Sequence, residues 1–208
     1  MIDHKHKFIF IHIPKTAGES MEVAFRAKGE LKYWASFDHA NHEPLQHLTA
    51  NEIKKRLGKS EYNKYYKFSF VRNPFSRCVS EYFWWRQKID NDRRRCNRSF
   101  AQWVHEDLPS LISKNQSIKS LIKHNIEQYK FIYDTSDNCL VDFIGRFENL
   151  QEDFNIVCDK IGIPRQELPH ENKTNHKHYT EYYDDETREI VAEKYAKDIE
   201  YFGYKFGE

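Results

Sequence analysis

The stretch Lys7-Phe8-Ile9-Phe10-Ile11-His12-Ile13-Pro14-Lys15-Thr16-Ala17-Gly18-Glu19-Ser20 decides the fold class of this chain. Residues 7–13 are rich in Ile and Phe and apolar on both faces, which is typical of a buried parallel strand. Pro14 ends that strand because proline has no main-chain N–H for the ladder. Small residues then form a turn, and apolar residues recur at helical spacing from Met21 onward. The chain therefore opens with a strand, a phosphate-sized loop and a helix.

The rest of the chain repeats this alternation. A second buried strand is predicted at residues 66–71, and Pro74 suits the first turn of a helix that runs to about Gln87. Further helices are predicted at 49–57, 99–107, 116–127, 149–161 and 185–201, and further strands at 129–134 and 139–147. Thr49 and Glu52 form a capping-box pattern, and Gly162 is placed to end a helix. Strands alternating with helices predict an α/β fold, with a central mainly parallel sheet flanked by helices and a single domain over residues 1–208.

Composition excludes several classes of protein. Of the 208 residues, 39% are hydrophobic and 15% aromatic, whereas disordered chains are poor in aromatic residues. The formal net charge is +1, so there is no overall basic field to attract a nucleic acid or a membrane surface. Any site for an anion must therefore be local.

The lack of a recognisable targeting signal and the spacing of the cysteines predict a cytoplasmic protein. No segment approaches the ~20 apolar residues of a membrane span, and the first apolar run is too short for a signal peptide. The four cysteines are widely scattered with no Cys-x-x-Cys pair, which argues against a disulfide framework or a zinc ribbon.

Residues 14–20 form the first candidate anion site. A helix N-terminus presents main-chain N–H groups and a partial positive charge, which favour a bound anion. Lys15 adds a charge, Thr16 and Ser20 add hydroxyl donors, and Gly18 lets the backbone approach an oxyanion closely. In the Walker pattern the lysine closes the loop, whereas here it opens it. An ordinary strand-to-helix turn is the alternative.

The second candidate anion site is Val71-Arg72-Asn73-Pro74-Phe75-Ser76-Arg77-Cys78-Val79-Ser80-Glu81-Tyr82. Arg72 stands at the carboxyl end of a predicted strand, where open α/β sheets bind ligands. Its guanidinium can hold a phosphate by a forked pair of hydrogen bonds, and Ser80 can add a hydroxyl. The alternatives are a structural salt bridge for Arg72 and a small packing residue for Ser80, and Arg77 is interpreted as structural.

Two anion sites after two strands suggest a ligand with two phosphate-like groups. The paired motifs resemble those of sulfotransferases that use 3′-phosphoadenosine 5′-phosphosulfate (PAPS), of the carbohydrate and heparan/chondroitin type. Two distal stretches, 144–154 and 195–204, fit the same family, and the resemblance spans about residues 8–205. Eukaryotic members carry a Golgi anchor and a stem, so this chain resembles a compact bacterial-type member.

The resemblance implies a P-loop-like nucleotide-binding fold and transfer of a sulfuryl group to a hydroxyl, most simply on a saccharide. The product of the donor would be adenosine 3′,5′-bisphosphate, with no metal ion and no nucleic acid involved. The 5′-phosphosulfate loop of the family matches Lys15, Thr16, Ala17, Gly18, Glu19 and Ser20. Arg72 and Ser80 match its 3′-phosphate motif. Lys15 fits the catalytic role of stabilising the leaving phosphate.

The general base is predicted to be a histidine, because its ordinary pKa suits proton transfer near neutral pH. Related enzymes place a catalytic His between the two phosphate motifs, and His47 is the first choice because His-Leu-Thr-Ala precedes the strand to Arg72 as it does in those relatives. His42 and His39 are further candidates, and Glu19 is a carboxylate alternative. The alternative reading of His47 is a surface or capping residue.

Three other patterns suggest different functions. The spacings His39-x-x-His42 and His176-x-His178 are metal-like, but no Cys joins them. The basic run 93–98 could attract an acidic glycan, or it could be a solvated connector, and residues 170–176 could form a flap over the nucleotide. The rival functions are an ATP-dependent small-molecule kinase that needs Mg²⁺, and a non-catalytic module that binds glycans or nucleic acid through the basic run.

Overall fold

The computed structural model of this protein describes residues 1–26, 31–32, 37–38, 43–44, 46–88, 97–110, 123–169 and 177–208. They form two compact units. The first consists of Met1–Val71 and Gln128–Asn172, and the second of Arg72–Glu127 and Lys173–Glu208. The single domain predicted over residues 1–208 stays a prediction.

The strands are β1 Ile2–Asp3, β2 Phe8–Ile11, β3 Leu31–Lys32, β4 Phe37–Asp38, β5 Glu43–Pro44, β6 Tyr66–Val71 and β7 Phe143–Arg146. The helices are α1 Gly18–Arg26, α2 Ala50–Leu57, α3 Lys59–Tyr62, α4 Pro74–Lys88, α5 Phe100–Ser110, α6 Tyr129–Ile132, α7 Leu150–Ile161, α8 Asp185–Lys194 and α9 Ala196–Phe202. Short 3₁₀ turns cover Phe147–Asn149 and Tyr179–Tyr182. None of the helices in these ranges is long and apolar enough to cross a membrane.

The first unit contains a five-stranded sheet in the order β3-β1-β2-β6-β7. The three longest strands, β2, β6 and β7, are parallel, with Phe10 opposite Phe68 and Phe68 opposite Phe143. The two-residue strands β1 and β3 extend the sheet antiparallel beyond β2, and β4 pairs with β5 in a separate hairpin-like sheet. The predicted α/β fold with a mainly parallel sheet is confirmed.

Aromatic residues make the core of the first unit. Phe8 and Phe10 on one face of β2 pack with Phe68 and Phe70 of β6, and with residues of α1 and α7. Side chains alternate between the two faces of a strand, and the intervening Ile9 and Ile11 are also fully buried. Burial on both faces explains why the sequence of β2 is continuously apolar.

Local signals predicted several elements correctly. The capping box before α2 is present, with Thr49 Oγ1 accepting from the Glu52 N–H and a Glu52 carboxylate oxygen accepting from the Thr49 N–H. Helix α7 ends at Gly162, whose φ of 73° is in the left-handed region that glycine adopts without strain.

Three predicted elements were wrong or too long. Residues 129–134, predicted as a strand, form the short helix α6, because a short apolar run does not distinguish a strand from a buried helical turn. The strand predicted at 139–147 is shorter, since Cys139 makes only an isolated bridge with Tyr133, β7 begins at Phe143, and a 3₁₀ turn begins at Phe147. The helix predicted at 185–201 is interrupted at Tyr195, whose φ and ψ are −108° and 26°.

The second unit is built on α4. Its buried residues pack with α5, α8 and the 3₁₀ turn at Tyr179 in a cluster rich in aromatic side chains. Tyr82 and Trp85 of α4 are buried in this cluster, whereas Phe83 and Trp84 are partly exposed at its border. The helix predicted at 116–127 lies mostly outside the described residues.

Candidate functional site

The loop between β2 and α1 has an unusual backbone. Lys15 and Ala17 both have positive φ, at 68° and 64°. A residue with a side chain disfavours this left-handed region by roughly 1–2 kcal/mol, and such strain is concentrated at functional sites. Left-handed residues within a turn can direct successive main-chain N–H groups to one side, where they bind an anion. Helix α1 begins directly afterwards at Gly18, so the loop has the features of an anion site.

The side chains of this loop differ in what they can offer. Thr16 is fully buried, and its hydroxyl donates to the carbonyl oxygen of Ile13 at 2.9 Å. That bond ties the loop to the end of β2 and commits the only hydroxyl proton of Thr16. Lys15 is half-buried, Ser20 is buried and Glu19 is exposed.

Gly18 is required by a close contact. A Cβ atom at this position would lie 1.8 Å from Nε2 of His12, so no side chain fits. The sequence suggested that Gly18 lets the backbone approach an oxyanion. The structure adds a second reason, which is that the imidazole ring of His12 packs against its Cα.

His12 and Glu22 form a buried pair beside the loop. Nδ1 of His12 lies 3.0 Å from Oε1 of Glu22, and the two side chains are 5% and 2% exposed. An ionised carboxylate only accepts hydrogen bonds, so Nδ1 of His12 carries the proton. A buried pair of this kind is stable only with its hydrogen bond in place.

His47, the predicted general base, is buried against His12. Its Nδ1 is 3.1 Å from the carbonyl oxygen of His12, and the two rings meet edge to face with centroids 4.6 Å apart. A carbonyl oxygen only accepts, so Nδ1 of His47 donates, and the neutral ring has its lone pair on Nε2. This is a tautomer that can take a proton. The other candidates, His39 and His42, lie outside the described residues.

The second unit begins with the other predicted motif. Arg72 and Ser80 are both buried. Nε of Arg72 donates to the hydroxyl of Ser76 at 3.0 Å. Ser76 and Ser80 are one helical turn apart on α4 and share a face. The guanidinium of Arg72 is thus held by the same helix that presents Ser80.

Asn73 fixes the start of α4. Its Oδ1 accepts from the N–H of Phe75, which caps the first turn, and its Nδ2 donates to the carbonyl oxygen of Lys205 at 2.8 Å. Pro74 follows at the first helical position, where its missing N–H costs nothing.

Arg77 is structural, as the sequence indicated. It is buried and donates to the carbonyl oxygens of His124 and Ile126 at 3.1 and 2.8 Å. Its guanidinium also lies over the ring of Tyr195, 5.0 Å from the centroid. Its two terminal nitrogens therefore bind main-chain carbonyl groups inside the second unit.

The structure thus distributes the predicted residues over two sets. The first unit contains Lys15, Thr16, Ala17, Gly18, Glu19 and Ser20 in one loop, with His47 joined to its base through His12. The second unit contains Arg72 and Ser80. The assignment of these residues to a donor and a base stays a prediction.

Sequence reasoning missed three residues of these sets: His12, Glu22 and Ser76. His12 is the one polar residue in the otherwise apolar run 8–13, and Glu22 is four residues after Gly18, on the same face of α1. Ser76 stands midway between Arg72 and Ser80 at helical spacing. These spacings could have identified all three.

Several predicted features lie outside the described residues, namely His176, the loop 170–176 and the basic residues 93–95. Within the described ranges, no group of three or more His, Cys, Asp or Glu side chains is arranged to hold a metal ion.

Comparisons with known proteins agree with the resemblance drawn from the two motifs. A family model described as the sulfotransferase family matches residues 1–205. Carbohydrate sulfotransferase 14 of Danio rerio is 25% identical over 232 residues, which cover 98% of this chain and 61% of that protein. Carbohydrate sulfotransferase 12 of Mus musculus is 25% identical, with 74% of this chain and 46% of the relative covered.

A protein of Archaeoglobus fulgidus described only as uncharacterized is 32% identical over 118 residues, which cover 55% of this chain and 82% of that protein. No solved structure matches the chain. The chain spans roughly half of the two carbohydrate sulfotransferases, at 61% and 46% of their lengths. Because the family model matches almost the whole chain, this protein belongs to the sulfotransferase family.

Proposed function

We propose that this protein transfers a sulfuryl group from PAPS to a hydroxyl group of a carbohydrate. The observation that carries the proposal is the strained loop at Lys15 and Ala17, which leads into the N-terminus of α1. In the same unit, His47 has its proton on Nδ1, so its Nε2 can accept a proton. Family membership supports the reaction class, and the relatives named carbohydrate sulfotransferases support a saccharide acceptor.

In the proposed reaction, residues 15–20 bind the 5′-phosphosulfate, and Arg72 with Ser80 binds the 3′-phosphate. The acceptor oxygen attacks sulfur, and Nε2 of His47 takes the hydroxyl proton. The bond between sulfur and the bridging oxygen breaks, and its electron pair stays on the 5′-phosphate of adenosine 3′,5′-bisphosphate. Lys15 stabilises the charge that develops on that oxygen.

The proposal includes catalysis without a divalent metal ion, because the charges on the donor are met by Lys15, Arg72 and main-chain N–H groups. Turnover is therefore expected to be unchanged by EDTA. It also includes the cytoplasmic location expected from the sequence, which cell fractionation tests.

Isothermal titration with adenosine 3′,5′-bisphosphate tests the donor. Micromolar binding is expected, with loss of about tenfold or more in affinity for Arg72→Ala, because an arginine–phosphate pair is a strong charge-assisted interaction. Arg165→Ala is the matched control, since that exposed arginine forms a surface ion pair with Asp159. No binding by the folded wild type would refute the proposal.

The rival kinase function is separated by ligand choice. Thermal stabilisation by adenosine 3′,5′-bisphosphate without metal is expected to exceed that by ATP with Mg²⁺. The reverse order would favour the kinase. Turnover is then measured as transfer of ³⁵S from labelled PAPS to a panel of glycans, and His47→Ala is expected to retain only a small, measurable residual rate.

A further inference from the structure

His12, Glu22 and His47 form a buried cluster in the first unit that extends beyond the predicted donor-binding residues. The three side chains are between 2% and 6% exposed. Two of them, His12 and Glu22, have no role in the proposed reaction. Polar side chains are rarely buried to this extent without a specific function in folding or in the site.

His12 contacts the predicted base in two ways. Its carbonyl oxygen accepts from Nδ1 of His47, and its imidazole ring packs edge to face against the ring of His47. The first contact fixes where the proton of the neutral His47 ring lies. The second fixes the rotation of that ring, so both depend on the position of His12.

The ring of His12 is in turn held from two sides. Glu22 accepts from its Nδ1 at 3.0 Å, and Gly18 packs against the edge of the ring that carries Nε2. Glu22 and Gly18 are one turn apart on α1, so the helix that follows the loop at Lys15 also positions the ring. Glu22 therefore holds His12, and His12 in turn holds His47.

We propose that Glu22 and His12 are positioning residues that hold His47 in the orientation and tautomer needed to take the acceptor proton. This inference rests on the proposed function, in which His47 is the general base. A carboxylate that orients an imidazole is a recurring solution in enzymes with a histidine base. Here the orientation passes through a second histidine rather than directly from the carboxylate.

The first experiment measures the tautomer without any substrate. The ¹⁵N shifts of the imidazole rings of the full chain are expected to show His47 as the Nδ1–H tautomer. Glu22→Leu, which cannot accept from His12, is expected to give a mixture of tautomers. Glu22→Gln keeps an oxygen acceptor and is expected to retain the wild-type form. A wild-type His47 with its proton on Nε2 would overturn the proposal. This measurement is made on the wild type, so it does not depend on whether the variants fold.

The second experiment is a kinetic cycle. Glu22→Leu is expected to lower kcat about tenfold while the Kd for adenosine 3′,5′-bisphosphate stays within about twofold, because residues joined through one chain of hydrogen bonds couple by this order of magnitude. Glu22→Gln should recover most of kcat, and the exposed Glu189→Leu should match the wild type. In a His47→Ala background, Glu22→Leu should cause no further loss.

Two results would contradict a positioning role. Equal losses of kcat from Glu22→Leu with and without His47 would show that Glu22 does not act through the base. A parallel loss of nucleotide affinity would show that the pair only supports the fold of the loop. If the wild type neither binds the nucleotide nor transfers sulfate, the proposed function fails, and the tautomer measurement still decides the positioning role.

Discussion

Replacing Ser76 with alanine is expected to weaken binding of adenosine 3′,5′-bisphosphate about fivefold. Ser76 accepts from Nε of Arg72 at 3.0 Å and so restricts the rotamers of a buried arginine before any ligand arrives. Without that bond, more of the ordering of the Arg72 side chain falls on the step in which the ligand binds. Ordering a long side chain costs about 1 kcal/mol, which corresponds to about fivefold in Kd.

Isothermal titration with two nucleotides tests this explanation of Ser76. Adenosine 5′-monophosphate lacks the 3′-phosphate, so its Kd is expected to be the same for the wild type and for Ser76→Ala. Ser76→Thr keeps the hydroxyl and should restore the wild-type Kd, and the exposed Ser60→Ala serves as the matched control. The reasoning is refuted if Ser76→Ala binds both nucleotides as the wild type does, or loses affinity for both equally.

Three further predictions concern folding and reactivity. Gly18→Ala is expected to lower the free energy of unfolding by about 1–3 kcal/mol in urea titrations, because the new methyl group would overlap the ring of His12; an unchanged midpoint would contradict this packing. Asn73→Ala is expected to cost about 2–3 kcal/mol in the same assay, since it removes a helix cap and a buried donor. Burial raises the pKa of the Cys78 thiol to about 12, so below that pH it stays protonated and unreactive. Mass spectrometry after iodoacetamide treatment at pH 8.5 should therefore find the exposed Cys139 alkylated long before Cys78.

Features with a local cause could be predicted from the sequence. Strand β6 was predicted with its actual bounds, because Tyr66–Val71 is rich in aromatic residues and Pro74 starts a helix shortly after it. The capping box of α2 and the end of α7 at Gly162 were also predicted, since each depends on residues within one helical turn. The loop between β2 and α1 was predicted from the strand, proline and small residues around it, whereas its role as an anion site stays a prediction.

Features with a distant cause could not be predicted in the same way. Tyr195 interrupts the last helical segment, where its ring lies beneath the guanidinium of Arg77, more than a hundred residues earlier in the chain. His47 contacts His12, which lies 35 positions earlier in the chain. The sequence spacing does not indicate that a ring nitrogen of His47 donates to the carbonyl oxygen of His12. The sequence placed a histidine near the site, but its tautomer follows only from tertiary structure.

The strain in the loop between β2 and α1 bears on how the proposed reaction is catalysed. Glycine would occupy the positive φ of Lys15 more easily, but it would remove the ammonium group. The strained shape is held instead by buried neighbours, through the bond from Thr16 to Ile13 and the packing of Gly18 on His12. None of these contacts requires a ligand, so the N–H groups are oriented before the donor binds. Donors that are already oriented stabilise developing charge without reorganising during the reaction. In the proposed transfer that charge develops on the departing phosphate oxygen, and a strained, ligand-independent loop is what such a step needs.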